Sequence, residues 1–305
     1  MTVKPNSKKL AALYEKYGII VILILEVIFF SIKSPTFLKL DNILLVSRQV
    51  SFYGIAAVGM TMVLLVGEID ISVGSILAFS GCLSAVLITK AAVPVALACL
   101  IAIVISTFFG LLSGTLTTIC KVPSLIATLA MQIIIKGCTY LMTGGTAVSG
   151  LPDNFKFMGQ GFLLGLFVLN KTYIGRRIYA VGGNKEAARL SGIKTTGIVI
   201  GTFVCSAFVA GISGTLMAAR LGSGMASVGS DFAMDVLTAS VLGGVSLQGG
   251  KGNAVNVLVG SFIIGILSNG LVMLGVIEYW QWIIKGCVFL LAVILSNIVQ
   301  IAEQK

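Results

Sequence analysis

Histidine is absent from the 305 residues. That removes the commonest general base and metal ligand, and with it any His-based catalytic triad. Charge is scarce too. Asp, Glu, Lys and Arg make up 10% of the chain, against roughly 25% in a soluble domain, too few to cover a globule in water. The six cysteines, Cys82, Cys99, Cys120, Cys138, Cys205 and Cys287, are isolated and mostly embedded in apolar runs. Without a CxxC pair they make neither a zinc site nor a disulfide framework, and they read as small buried hydrophobes. There is no GxxxxGK[ST] loop. The nearest stretch, Gly244 to Gly252, spaces its first glycine one residue too far from Lys251 and offers Gly252 where a Mg²⁺-binding hydroxyl belongs. GxSxG and HExxH are missing as well. The sequence therefore argues against an enzyme and predicts no cofactor and no metal.

What is there is oil-soluble. Apolar residues make up 57% of the chain, and the mean hydropathy is +1.06. The expected fold is all-α: a polytopic transmembrane helix bundle forming a single domain over residues 1–305. At ~20 residues per span the length allows about ten crossings. The net charge of +10 reads as topological, because Lys and Arg hold loops on the cytoplasmic side. No basic patch carries the aromatics that stack bases, so nucleic acid is not an expected partner.

The longest stretch that cannot sit in a bilayer is Gly175 to Lys194, with Arg176, Arg177, Lys185, Arg189 and Lys194, preceded by Lys171. It marks 171–196 as a cytoplasmic loop and as the face where a soluble partner docks. A model with both termini inside places thirteen Lys and Arg on that side (Lys4, Lys8, Lys9, Lys16, Lys121, Lys171, Arg176, Arg177, Lys185, Arg189, Lys194, Lys251, Lys305). It leaves six outside (Lys33, Lys39, Arg48, Lys90, Lys156, Arg220). That bias supports the orientation.

In chain order, the basic N-terminus and the apolar run after it lack a small-residue cleavage site and read as an uncleaved first span. Glu26 lies in that span. A carboxylate there costs ~2.5–3.5 kcal/mol on insertion scales, so it is either a pathway group or a carboxyl hydrogen-bonded between helices. Residues 33–50 read as a polar, amphipathic segment on the outer face. The next span closes on Gly67-Glu68-Ile69-Asp70-Ile71-Ser72-Val73-Gly74-Ser75. Two carboxylates framed by glycines suggest a broken helix or tight turn. Either it lines a path or gate, through Glu68, Asp70, Ser72 and Ser75, or it is a solvated turn.

Gly110 and Gly114 form a small-residue packing face, and 143–161 is an outer loop. The apolar run 157–169 makes only ~20 Å of helix, against ~30 Å of hydrocarbon, yet parity requires a crossing there. The sequence thus predicts a short, distorted or missing span near 157–170. Residues 220–235 read as an outer loop or re-entrant turn, and 236–251 as a short, glycine-interrupted segment that faintly echoes 67–74. Asn269, in the span that follows, joins the candidate path residues. The cluster 278–282 is an interfacial aromatic anchor.

Gly182-Gly183-Asn184-Lys185-Glu186-Ala187-Ala188-Arg189-Leu190-Ser191-Gly192-Ile193 closely resembles the cytoplasmic coupling segment of the ribose/xylose/galactose-type ABC transporter permeases. Gly59-Met60-Thr61, Gly67 to Ser75, Ile126-Ala127-Thr128-Leu129 and Val241 to Gly252 support the likeness in the expected order. The resemblance implies a bacterial inner-membrane subunit of an ATP-driven sugar importer. Its partners would be cytoplasmic ATP-binding subunits, a second permease copy or paralogue, and a periplasmic sugar-binding protein. ATPase docking would fall to Gly182, Gly183, Asn184, Glu186, Ala187, Ala188, Ser191 and Gly192, with Ala187, Ala188, Leu190 and Ile193 giving an apolar face. One departure stands out: about one span is short or absent around Gly165. A stand-alone secondary transporter or channel, using Glu26 and Asp70 as ion sites, is the alternative. A non-transporting structural subunit is a third.

Overall fold

A computed structural model describes residues 5–158 and 173–303. Among the described residues the regular structure is helical, with a single isolated β-bridge between Val148 and Gly224. The helices are α1 (Pro5–Lys33), α2 (Leu40–Leu65), α3 (Val73–Thr89), α4 (Val95–Thr118), α5 (Ser124–Thr143), α6 (Asp153–Met158), α7 (Tyr173–Gly183), α8 (Lys185–Leu190), α9 (Thr195–Leu221), a 3₁₀ turn (Ala226–Gly229), α10 (Phe232–Leu242), α11 (Ala254–Met273) and α12 (Glu278–Glu303). Six are long and apolar enough to cross a membrane: α2, α4, α5, α9, α11, and α12 over Glu278–Ile298. The chain is a multi-pass helical membrane protein. Most of the expected short span at 157–170 lies outside the described residues.

The bundle is organised around α9, which packs along α2, α3 and α4. Small residues permit the close approach. A methyl at Gly110 would overlap the Phe203 carbonyl oxygen, and one at Gly114 would stand 3.0 Å from the Ile200 Cα. Lipid tails are as apolar as the helices, so backbone proximity and dispersion hold such crossings together. Outward faces of α1, α4, α5 and α12 display Leu, Ile and Phe side chains, as a lipid-facing surface requires.

The segment 33–50 is not a separate surface element. Only 34–39 turn, closed by Phe37 N–H on Ser34 O (3.1 Å) and Lys39 N–H on Thr36 O (3.2 Å). α2 then runs without a break from Leu40 to Leu65. The amphipathic pattern was real but continuous with the span: Val46 and Val50 are buried while Leu44 and Leu45 face out.

Two segments interrupt the helical bundle. Val66–Ser72 joins α2 to α3. After α9 the chain turns at Gly222 and folds back in, so 220–235 is re-entrant. Its 3₁₀ turn packs on α3, with Gly74 and Gly229 so close that a methyl on either would overlap the other's carbonyl oxygen. α10, with 11 residues, is a half-length helix of ~16 Å. Irregular backbone at this depth is tolerated because protein surrounds it.

Candidate functional site

One end of the bundle gathers Lys185, Arg189 and Lys194 together with the turn after α2 and the turn between α10 and α11. Here three backbones meet. Leu65 O, at the C-terminus of α2, accepts from Gly250 N–H at 2.9 Å. Gly182, at the end of α7, lies directly on the same carbonyl: an added methyl would overlap Leu65 O and stand 2.6 Å from Gly250 N. Tyr179 donates to Gly252 O at 3.0 Å. Partial burial pushes its phenol above the ordinary range. Lys185 Nζ reaches Glu68 Oε1 at 3.3 Å, a solvent-screened pair worth about 0–1 kcal/mol.

α8 is short but closed at both ends. Asn184 is its N-cap, its side-chain oxygen accepting from Ala187 N–H at 2.9 Å, an arrangement worth ~1 kcal/mol. Glu186 in the first turn and Arg189 in the last complement the helix dipole and pair at 2.6 Å. At the other end Ile193 N–H donates to Ala188 O (3.1 Å) and Gly192 N–H to Arg189 O (3.0 Å). This is the paired closure that a left-handed residue permits, and Gly192 supplies it with φ +81°. The expected apolar face is thereby split. Ala188 is buried and Ile193 packs with it on the bundle, whereas Ala187 is exposed and Leu190 is 78% exposed. Gly183, Asn184, Glu186, Ser191 and Gly192 are also exposed, and Ser191 Oγ donates to Ala187 O at 2.9 Å.

The turn 66–72 is tied to every neighbour. Asp70 is fully buried. One carboxylate oxygen accepts from Ser72 N–H (3.0 Å) and Ser72 Oγ, the other from Ser206 Oγ of α9 (3.1 Å). Ile69 N–H donates to Ser124 Oγ of α5 (3.2 Å); Thr128 Oγ1, whose proton goes to Ser124 O at 2.8 Å, lies 3.3 Å from Ile69 O. Asp70→Ala leaves the Ser72 amide and the Ser206 hydroxyl unpaired, with an expected loss of about 1–3 kcal/mol. Asp70→Asn keeps an acceptor and is expected to lose less. Thermal unfolding of the two variants in detergent checks the order.

The candidate path residues do not converge. Glu68, Asp70 and Ser72 share the turn. Ser75 opens onto a pocket between α3, α5 and the re-entrant turn. Asn269 lies near the opposite end, donating to Asn42 Oδ1 at 3.0 Å while Asn42 holds Phe37 O. Glu26 lies on α1, its carboxylate oxygens buried without a hydrogen-bond partner among the described residues. Sequence reasoning missed one cluster: Asp235 Oδ2 accepts from Lys285 Nζ (2.8 Å) and Tyr53 Oη (3.1 Å), joining α10, α12 and α2. A lone charge in each of two apolar runs was the available signal.

The profile of the family described as branched-chain amino acid transport system / permease component matches residues 42–159 and 162–293. The chain belongs to this permease family. It is 40% identical over 300 positions to the ribose import permease of Bacillus subtilis, with 93% of each chain covered. To the ribose import permease of Escherichia coli K12 it is 37% identical, covering 94% of this chain and 95% of the other. To an L-arabinose ABC transporter permease of Azospirillum brasilense it is 35% identical, covering 93% and 88%. No solved structure matches. The permease is thus of the sugar ABC-transporter type. The B. subtilis alignment runs over 300 positions yet uses 93% of this permease's 305 residues, about 284, so about 16 positions of that relative have no counterpart here.

Proposed function

We propose that this permease is the membrane subunit of an ATP-driven importer that carries a sugar or sugar-like solute into the cytoplasm. The observation that carries the reading is α8: a two-turn helix, capped at both ends, pressed through α7 and Gly182 onto the backbone of two broken segments. A helix that small is poorly stable alone, so its caps and contacts serve to hold a shape against a partner. Its exposed residues, Glu186, Ala187, Arg189 and Leu190, offer a mixed charged and apolar knob to a groove on an ATP-binding subunit. The basic end then faces the cytoplasm by the positive-inside rule, both termini lie on that side, and the host is the bacterial inner membrane. A second permease copy or paralogue and a periplasmic sugar-binding protein complete the assembly. About ten crossings fit this topology, with the segment near 157–170 shortened. The family match breaks between residues 159 and 162, within that segment.

The experiment is co-purification with the cognate ATPase. Leu190→Asp is expected to lower the recovered ATPase at least about tenfold, the loss of one buried apolar anchor. The permease itself should stay folded, because Leu190 touches little of its own bundle. Full recovery of ATPase with both Leu190→Asp and Ala187→Asp would remove α8 as the docking element.

One observation favours a stand-alone transporter instead: the unpartnered carboxylate of Glu26, a group of the kind that ion-driven carriers place at membrane depth. Uptake by the purified chain in liposomes, driven by an ion gradient without ATPase and abolished by Glu26→Gln, would support that reading.

A further inference from the structure

A pocket between α3, α5 and the re-entrant turn plays no part in the docking end. Ser75, Gln132, Lys136, Thr139, Gly229 and Ser230 line it. Lys136 sits seven residues before the end of α5 at Thr143, ~10 Å of helix, so the pocket occupies the half of the bundle away from the basic end. Thr139 spends its hydroxyl proton on Ile135 O at 2.8 Å. Among the described residues the side chains of Ser75, Gln132, Lys136 and Ser230 make no hydrogen bond or ion pair. Ser75 is buried and Gln132 half-buried, while Lys136 and Ser230 are exposed on the single chain; such groups on a span are costly against lipid, so water, a ligand or a partner chain must meet them. A lysine on an otherwise apolar helix face points the same way, since charged groups in spans face cavities or partners rather than lipid.

The chemistry of the set is specific. The ammonium brings three donors, the amide two donors and an acceptor, and each serine hydroxyl both functions. Donors outnumber acceptors, which suits a molecule presenting several hydroxyl oxygens around a ring.

We propose that this pocket is a solute station on the translocation path, where Lys136 and Gln132 hold hydroxyl oxygens of a passing sugar. The proposal rests on the importer reading and names the side chains that meet its cargo. Those side chains sit on α5, α3 and the 226–230 turn, with Ser75 one helical turn beyond the segment 66–72.

The test uses the complete importer in proteoliposomes, with labelled D-ribose, L-arabinose, D-xylose and D-galactose as probes. For whichever probe the wild type carries, Lys136→Met is expected to lower ATP-dependent uptake about tenfold or more, on the scale of a lost charge-assisted hydrogen bond. Lys136→Arg is expected to retain most of it, and Gln132→Leu to fall in between. Bound ATPase and basal ATP hydrolysis should stay unchanged. Wild-type uptake by Lys136→Met overturns the proposal. A second measurement needs no knowledge of the sugar. In a background without the six native cysteines, Gln132→Cys and Lys136→Cys are expected to react with a charged, water-soluble thiosulfonate, and Leu290→Cys on the exposed apolar face of α12 is not. Inert cysteines at both 132 and 136 would place these residues in a dry contact with another chain, and the station would be refuted. Failure of the importer reading shows separately, in a wild-type chain that binds no ATPase subunit.

Discussion

Gly182→Ala is expected to abolish ATP-driven uptake, while Gly183→Ala one residue later is expected to leave it intact. The two glycines differ in what lies over them. Position 182 faces the Leu65 carbonyl oxygen and the Gly250 nitrogen, both backbone, whereas nothing lies within 4 Å of a methyl at 183. Overpacking costs about 1–3 kcal/mol where side chains can yield. At position 182 no side chain is available to yield, so either α7 lifts off α2 or the Leu65–Gly250 hydrogen bond breaks. A junction weakened by ~3 kcal/mol is populated roughly 100-fold less. The measurement is ATP-dependent uptake beside ATPase binding for each variant. Equal uptake by the two variants would show that the junction does not matter to transport.

The second large effect lies in the bundle. Lys285→Met is expected to strand the Asp235 carboxylate, which is 5% exposed and holds only the Tyr53 hydroxyl otherwise. Removing one member of a buried pair costs about 3–5 kcal/mol, chiefly because the other charge stays behind. A marginal membrane protein loses most of its folded yield at that cost. The double variant Asp235→Asn/Lys285→Met removes the stranded charge and is expected to recover much of the yield. Tyr53→Phe, which deletes one donor, is expected to cost only about 1 kcal/mol. The monodisperse fraction on size exclusion after a heat challenge ranks the four proteins. A single Lys285→Met as robust as the wild type would contradict the pairing.

The helical class and the small-residue crossing at Gly110 and Gly114 were legible in the sequence because each is a local pattern. Hydropathy marks a span, and a glycine pair marks a close approach. The start of α2 was misplaced because a polar stretch at a span's end and a helix lying on the surface share the same periodicity. Nothing within 33–50 reveals that Val46 and Val50 would be covered by distant elements. The split of α8 into an inward Ala188 and an outward Leu190 depends on which neighbour is present, which composition does not encode. The Asp235–Lys285 pair spans fifty residues of chain and was invisible for the same reason. By contrast, Thr128 stood in a stretch singled out for resemblance, and the structure packs that stretch against the 66–72 turn, its Oγ1 lying 3.3 Å from Ile69 O.

The meeting of Leu65, Gly182 and Gly250 has a mechanical consequence. Side chains act as padding, absorbing small displacements by changing rotamer. Where peptide units touch without them, a shove is passed on undiminished. On the importer reading, one push on α8 would reach the turn after α2 and the turn after α10 together, because Gly182 and Gly250 meet on the Leu65 carbonyl.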